Sequence, residues 1–460
     1  MAAAREATRY SGQVALIDGG PLGTTCARVG CMPSKLLIAA ADAAHYGRNT
    51  GQFGVDYAPP RIDGKRVMQR VRRERDRFVG FVIETLENLD GVTFIPEFAR
   101  FEGDHSLRLG SGRIITARAI VIATGSRPSL PRTLFAAGDR LIANDDVFEW
   151  DDLPSSVAIF GAGIVGLELG QALHRLGVRI RLFGRNNRVG PLTDPRVRDI
   201  AAAIFEQEIP VNWDAGAEVA RVDDKVTIRW GNHLEHDESF DFLLAATGRV
   251  PNTDQLGLEN TSLPLTDRGL PEFDPLSGRI GESHIFVAGD ATSELSLLHE
   301  AADEGRLAGE NAARLPDTYR RARRTPLAIV FTDPQLALVG ETHAALSARR
   351  PDGFAIGEVS FDDQGRARVM AVNRGLVRIY GERDTGRLLG AELVGPAAEH
   401  LAHLLAWSIE MGTTAGQALQ MPFYHPVLEE GLRTALRALN HALGFGPNPP
   451  LKCIDCGPGA

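Results

Sequence analysis

A chain of 460 residues, 43% hydrophobic and 24% charged, is too long for one core and predicts two to four globular domains. Its formal charge of -9 excludes the basic footprint of a nucleic-acid binder, and the cluster Arg320 to Arg324 reads as a solvated face. No run approaches the ~18 apolar residues of a membrane span, and the start lacks a signal-peptide pattern, so a soluble, cytoplasmic protein is expected. Four cysteines cannot form a disulfide scaffold, which leaves two close pairs to explain, Cys26 with Cys31 and Cys453 with Cys456.

Residues 1 to 10 read as an Ala-rich helix, and Gln13 to Asp18 as a strand ending in an acid. That is the second half of a dinucleotide-binding βαβ unit, in which the acid, here Asp18, holds ribose hydroxyls. The expectation is that Met1 is an internal methionine and that roughly 15 residues of a ~30-residue unit are missing; the alternative is a true start without a central strand. Next comes Gly23-Thr24-Thr25-Cys26-Ala27-Arg28-Val29-Gly30-Cys31-Met32-Pro33-Ser34-Lys35. In a regular helix the two cysteine Cα atoms would stand ~7.5 Å apart along the axis, beyond the ~7 Å a disulfide bridges, so pairing requires a distorted backbone. Two readings are open: a buried reduced pair, or a redox-active disulfide whose thiolate a helix N-terminus and a nearby cation stabilise.

The spacing of Ile62, Val67, Val71, Phe78, Phe81, Val82 and Leu86 predicts a long amphipathic helix over 62–90, followed by short strands over 91–115. Ala119 to Ser126 is an apolar strand ending in the small-residue turn Thr124-Gly125-Ser126. After a turn-rich boundary at 151–155, the strand Val157 to Phe160 feeds Gly161-Ala162-Gly163-Ile164-Val165-Gly166-Leu167-Glu168. Gly161, Gly163 and Gly166 in this setting permit a tight turn, close approach of backbone to a pyrophosphate, and helix packing. The next strand, Val178 to Phe183, ends at Gly184-Arg185-Asn186-Asn187-Arg188 rather than at an acid. Arg185 and Arg188 without that carboxylate suit the 2′-phosphate of NADPH better than the 2′-hydroxyl of NADH, which stays the alternative.

Phe242 to Arg249, with Gly248, repeats the theme of 119–126, and Ile285 to Asp290 is a strand with an acid at its carboxyl end. Beyond Arg324 the pattern shifts to strands and then Ala/Leu-rich helices. The helix at 397–411, with Leu401, Leu404, Leu405 and Ile409, reads as core and dimer packing. Phe423-Tyr424-His425-Pro426 follows, with Glu430 five residues beyond the histidine; the tail carries Lys452-Cys453-Ile454-Asp455-Cys456.

Taken together, the Cys26 segment, the two nucleotide motifs and the His-Pro segment resemble the pyridine nucleotide-disulfide oxidoreductases, the family of dihydrolipoyl dehydrogenase, glutathione reductase and mercuric reductase. The resemblance implies that Cys26 exchanges with substrate and that Cys31 lies against the flavin. It places Thr25, Lys35, Thr124, Gly125, Ser126 and Asp290 around FAD, and pairs Glu168 with Lys35. It makes His425 the acid/base, oriented by Glu430 and supplied by the other subunit of a homodimer with composite sites. Two positions depart from the common pattern: Thr24 replaces a second Gly and Arg28 an Asn.

The expected architecture is α/β: two Rossmann-like dinucleotide-binding domains, for FAD and NAD(P), and a C-terminal α+β dimerisation domain. The expected boundaries are 1–150 and 269–324 for the FAD domain, 151–268 for the NAD(P) domain, 325–445 for dimerisation, and 446–460 for a Cys-x-x-Cys tail. The expected activity is NAD(P)H:disulfide oxidoreduction on a small or protein-bound disulfide or dithiol, with no resident metal. One alternative is a mercuric-type metal-ion reductase, in which Cys453 and Cys456 relay a soft metal. The other is a flavin-free scaffold.

Overall fold

The computed structural model describes residues 1–213 and 216–447, so Cys453 and Cys456 lie outside the described residues. Helix α1 (Ala2–Ala7) leads to strand β1 (Val14–Ile17), then to α2 (Thr25–Val29), α3 (Cys31–Arg48) and α4 (Gly64–Glu87). Asp63 caps α4, its carboxylate accepting from the Arg66 N–H at 3.1 Å. Of the apolar stripe predicted for this helix, Val71 and Leu86 are buried and Phe81 is exposed; Val71 and its neighbour Met68 share one core with Leu37 and Ala41 of α3.

Strand β2 (Val92–Ile95) pairs in parallel with β1, Val14 opposite Val92 and Ile17 opposite Ile95. An antiparallel meander follows: β3 (Ala99–Gly103), β4 (Ser106–Leu109) and β5 (Ile114–Thr116). Strands β6 (Ile120–Ile122) and β7 (Ser126–Pro128) come next, then β8 (Leu141–Ile142), α5 (Asn144–Val147) and β9 (Ser156–Phe160). Helix α6 (Ile164–Arg175), β10 (Arg179–Phe183), α7 (Pro195–Glu206) and β11 (Val211–Asn212) complete one arm of a Rossmann sheet. The hairpins β12 (Ala217–Val222), β13 (Lys225–Trp230) and β14 (His236–Phe240) precede β15 (Phe242–Ala245), which returns to the other side of β9. The five parallel strands stand in the order β11-β10-β9-β15-β8. Strand order reverses at β9, whose Val157, Ala158 and Ile159 are fully buried. The crevice at the carboxyl end of such a strand is where α/β sheets bind dinucleotides.

Strand β16 (Arg249–Pro251) pairs with β7, and β17 (Ile285–Val287) runs parallel to β6. Helix α8 (Leu298–Arg314) packs on α1, where Gly305 and Gly309 let the two backbones approach; a Cβ at Gly309 would meet the Ala3 carbonyl oxygen at 2.2 Å. Strands β1 and β2 therefore form one two-stranded parallel sheet and β6 and β17 another. No strand lies between β1 and β6 among the described residues, and both line the same cavity.

The C-terminal unit is an antiparallel sheet in the order β18-β19-β22-β21-β20. Its elements in sequence are β18 (Leu327–Val330), β19 (Gln335–Gly340), α9 (His343–Arg349), β20 (Phe354–Ser360), α10 (Gly365–Val369), β21 (Leu376–Glu382) and β22 (Leu388–Gly395). Helices α11 (Ala398–Glu410), α12 (Ala415–Ala418) and α13 (Glu430–Ala442) follow. Gly357 lets α13 lie on β20, since a Cβ there would meet the Ala435 carbonyl oxygen at 2.2 Å. On α11, Leu401 and Leu405 enter the core, whereas Leu404 is 42% and Trp407 68% exposed. The helix thus has a core face and a second apolar face turned outward.

Candidate active site

The cysteine stretch folds as two helices rather than one. Gly30, at φ -127° and ψ -114°, ends α2 and begins α3, and this is the backbone break that pairing of Cys26 with Cys31 requires. A Cβ at Gly30 would come within 2.9 Å of the Thr25 carbonyl oxygen. Thr24 caps α2, its hydroxyl accepting from the Ala27 N–H at 3.3 Å. Cys31 opens the 18-residue helix α3, and Cys26 sits in the first turn of α2.

Both cysteines are free thiols in this structure, Cys26 half-buried and Cys31 exposed. A hydrogen bond from Cys26 lowers Cys31 to about 7, against the effect of burial and with help from the Lys35 charge. The same hydrogen bond, with burial, pushes Cys26 far up. The reduced pair therefore shares one proton, held on Cys26, with the thiolate on Cys31 at a helix N-terminus. Lys35, one turn along α3, places Nζ 2.7 Å from Glu168 Oε2. Glu168 is 4% exposed, and its Oε1 accepts from the Phe331 N–H at 2.9 Å. Arg28, the departure noted in the sequence, reaches Asp145 at 4.0 Å.

The glycine turn after β9 brings backbones into close approach. Gly161 has φ +114° and its Cβ would meet the Ala246 oxygen at 2.2 Å; a Cβ on Gly166 would stand 1.8 Å from the Gly161 oxygen. Gly163 has nothing within 4 Å, which leaves its backbone open to a ligand. Arg185 and Arg188 are exposed at the end of β10 and line the same cavity. Gly125 at φ +70° and Gly248 at φ +112° likewise face open space. Ser126 Oγ donates to Asp290 Oδ2 at 2.6 Å and accepts from Arg249 Nε at 2.7 Å, and the Thr124 hydroxyl donates to the Asn252 oxygen at 2.8 Å. Asp18 accepts from the Gly20 N–H at 2.9 Å.

One cavity of 3590 Å³ joins Asp18, Cys26, Cys31, Lys35, Gly125, Gly163, Glu168, Arg185 and Asp290. That is several times the ~300–1,000 Å³ of a single-ligand pocket. The cavity lining is of a kind that two dinucleotides require: carboxylates at Asp18 and Asp290, open backbone at Gly163, and the cations Arg185 and Arg188. His425 and Glu430 are absent from the described residues lining this cavity. They meet each other instead: His425 Nδ1 lies 3.0 Å from Glu430 Oε1, and Glu430 is 2% exposed. A histidine whose Nδ1–H is held by a carboxylate presents Nε2 as a proton acceptor. Sequence reasoning did not single out Arg249 or Phe331 as site residues. Arg249 directly follows Thr247-Gly248, a local signal; Phe331 has none, because its partners lie far away in the chain.

The family description "Pyridine nucleotide-disulphide oxidoreductase" matches residues 1–305, and its dimerisation domain matches residues 327–436. A dihydrolipoyl dehydrogenase of Haloferax volcanii is 31% identical over 444 residues, covering 93% of this chain and 91% of that protein. A mercuric reductase of Shigella flexneri is 30% identical over 458 residues, covering 96% of this chain and 79% of its own. In fold, the HOCl-induced flavoprotein disulfide reductase RclA of Escherichia coli superposes with a TM-score of 0.80 at 23% identity, over 96% of both chains. The chain therefore belongs to the pyridine nucleotide-disulphide oxidoreductases, enzymes that act on sulfur groups with FAD and NAD(P)H.

Proposed function

We propose that the protein moves electrons between NADPH, or alternatively NADH, and a substrate disulfide or dithiol through the Cys26–Cys31 pair. The observation that carries this reading is the cysteine pair at a helix break, one turn from a Lys35–Glu168 ion pair, inside a cavity shared by both nucleotide motifs. Bound FAD would supply the two-electron relay from the nicotinamide to the cysteine pair. Two electrons and one proton convert the disulfide to a Cys26 thiol and a Cys31 thiolate. Cys26 gives its proton to His425 and attacks the substrate disulfide, forming a mixed disulfide and releasing one thiolate, which the imidazolium protonates. The Cys31 thiolate then attacks Cys26 Sγ, which releases the second thiolate and restores the intramolecular bond. Glu430 holds the imidazolium while it carries charge.

His425 does not line the cysteine cavity of its own chain, so in this reading the partner subunit supplies it, in a homodimer with two composite sites. The outward face of α11 and the match to a dimerisation domain support that assembly. Anaerobic titration of the purified flavoprotein tests the reading. NADPH is expected to reduce flavin and cysteines at lower concentration than NADH, with free thiols rising by two per chain. Reduction of flavin without new thiols would overturn it.

A second reading rests on the likeness to a mercuric reductase over 96% of the chain. In it, Cys453 and Cys456 pass a soft metal ion inward to Cys26 and Cys31. Replacing both tail cysteines by serine then abolishes metal-ion turnover and spares small disulfides; retained metal turnover rejects it.

A further inference from the structure

Lys35 is held from three sides. Its Nζ meets Glu168 Oε2 at 2.7 Å, Ser34 Oγ at 3.4 Å, and the face of the Phe331 ring 4.5 Å from the centroid. Residue 331 thus touches both halves of the ion pair, the backbone N–H binding the carboxylate and the ring covering the ammonium. We propose that Phe331 is a positioning residue for the disulfide reaction, its ring and backbone N–H together fixing the Lys35–Glu168 pair beside Cys31. The proposal rests on the reading of Cys31 as the reactive thiolate.

The physical reason lies in the opposite signs of the pair. Lys35 favours the Cys31 thiolate and Glu168 disfavours it, so the net field at the sulfur depends on where the pair is held. A long, flexible lysine left to the carboxylate alone would satisfy Glu168 first. The aromatic face gives the ammonium a second attraction that does not neutralise it.

Phe331 is in turn clamped from one stripe of α6. Glu168, Gln171 and Arg175 follow one another at helical spacing, and each is 4% exposed or less. Gln171 exchanges two 2.8 Å hydrogen bonds with the Asp333 backbone, and Arg175 Nη2 lies 3.0 Å from Asp333 Oδ2. The segment 331–333 directly follows β18 of the dimerisation sheet.

The test measures Cys31 ionisation by its ultraviolet thiolate absorbance against pH, in the full-length protein carrying Cys26→Ser. Phe331→Leu and Phe331→Met keep the N–H and remove the aromatic face; Phe331→Tyr keeps both. The ionisation midpoint is expected to rise by roughly half a pH unit or more in the Leu and Met variants, the size of a lost cation–π contact, and to return in the Tyr variant. A Leu or Met variant that folds and keeps the parent midpoint overturns the role of Phe331. A parent whose Cys31 ionises no lower than an ordinary thiol, at about pH 8.5, overturns it together with the reading of Cys31 on which it rests.

Discussion

Thr24 occupies a conformation that belongs to glycine. Its φ of 62° and ψ of 154° are positive-φ extended backbone, and its branched Cβ makes that region costly. The residue is kept there as the N-cap of α2, with one hydrogen bond to Ala27 in return. Relief of such strain is worth ~1–3 kcal/mol, and glycine at an N-cap loses only a few tenths. Thr24→Gly is therefore expected to raise thermal stability by an amount equivalent to about 1 kcal/mol or more. A melting temperature that stays level or drops would show the strain to be absent. The sequence marked this position only as a departure from a glycine; its backbone angles required the fold. Local spacing marked Cys26, Cys31 and the three glycines after β9, and only the family resemblance those motifs carry gave them roles.

Among the elements, the joint between the Rossmann sheet and the C-terminal sheet combines an apolar core, in which Leu167 and Val189 stand against Val330 and Leu336, with a buried polar cluster. Asp194 caps α7, accepting from the Arg196 N–H at 3.0 Å, and also binds Arg378 at 2.6 Å and the Tyr380 hydroxyl at 3.0 Å. Burial alone would push its carboxyl up, but Arg378 and Tyr380 outweigh that and hold it low. Because the folded pKa is depressed, the stabilisation is full above the unfolded value of about 3.9 and is lost as pH falls through the folded value. Asp194→Asn removes the nearer of the two carboxylates at Arg378, leaving Glu358 at 3.3 Å, and is expected to destabilise by roughly 3 kcal/mol at neutral pH. The gap in denaturant midpoint from wild type narrows below about pH 4, where the carboxyl of the unfolded chain takes up a proton before the folded one does. A gap of equal size at both pH values would assign the loss to packing instead. Helix and strand positions were readable from periodicity, with α4 at Gly64–Glu87 inside the predicted 62–90. Which helix stripe grips which loop was not, because Glu168 and Phe331 sit on separate units.

For the whole molecule, the separation of His425 from the cysteine cavity is the decisive geometry. If the sites are composite, a dimer of one Cys26→Ser chain and one His425→Ala chain contains one site with both groups intact and one with neither. Mixed dimers are then expected to regain half of wild-type activity per dimer, although each homodimer is inactive or nearly so. Absence of recovery in isolated mixed dimers would place Cys26 and His425 in one chain.

The sequence by itself marked the cysteine pair, the glycine turn and the His-Pro segment, since each is written in residues close together in the chain, and the resemblance those motifs carry gave the family. It also marked α11 as a packing helix, though not that Leu404 and Trp407 would face outward while Leu401 and Leu405 face in. Only the tertiary structure decided how the units act on one another. It set the two separate parallel strand pairs, and it seated Phe331 on Lys35 and Glu168. Those contacts join positions far apart along the chain, and local propensity carries no record of which distant surfaces will meet.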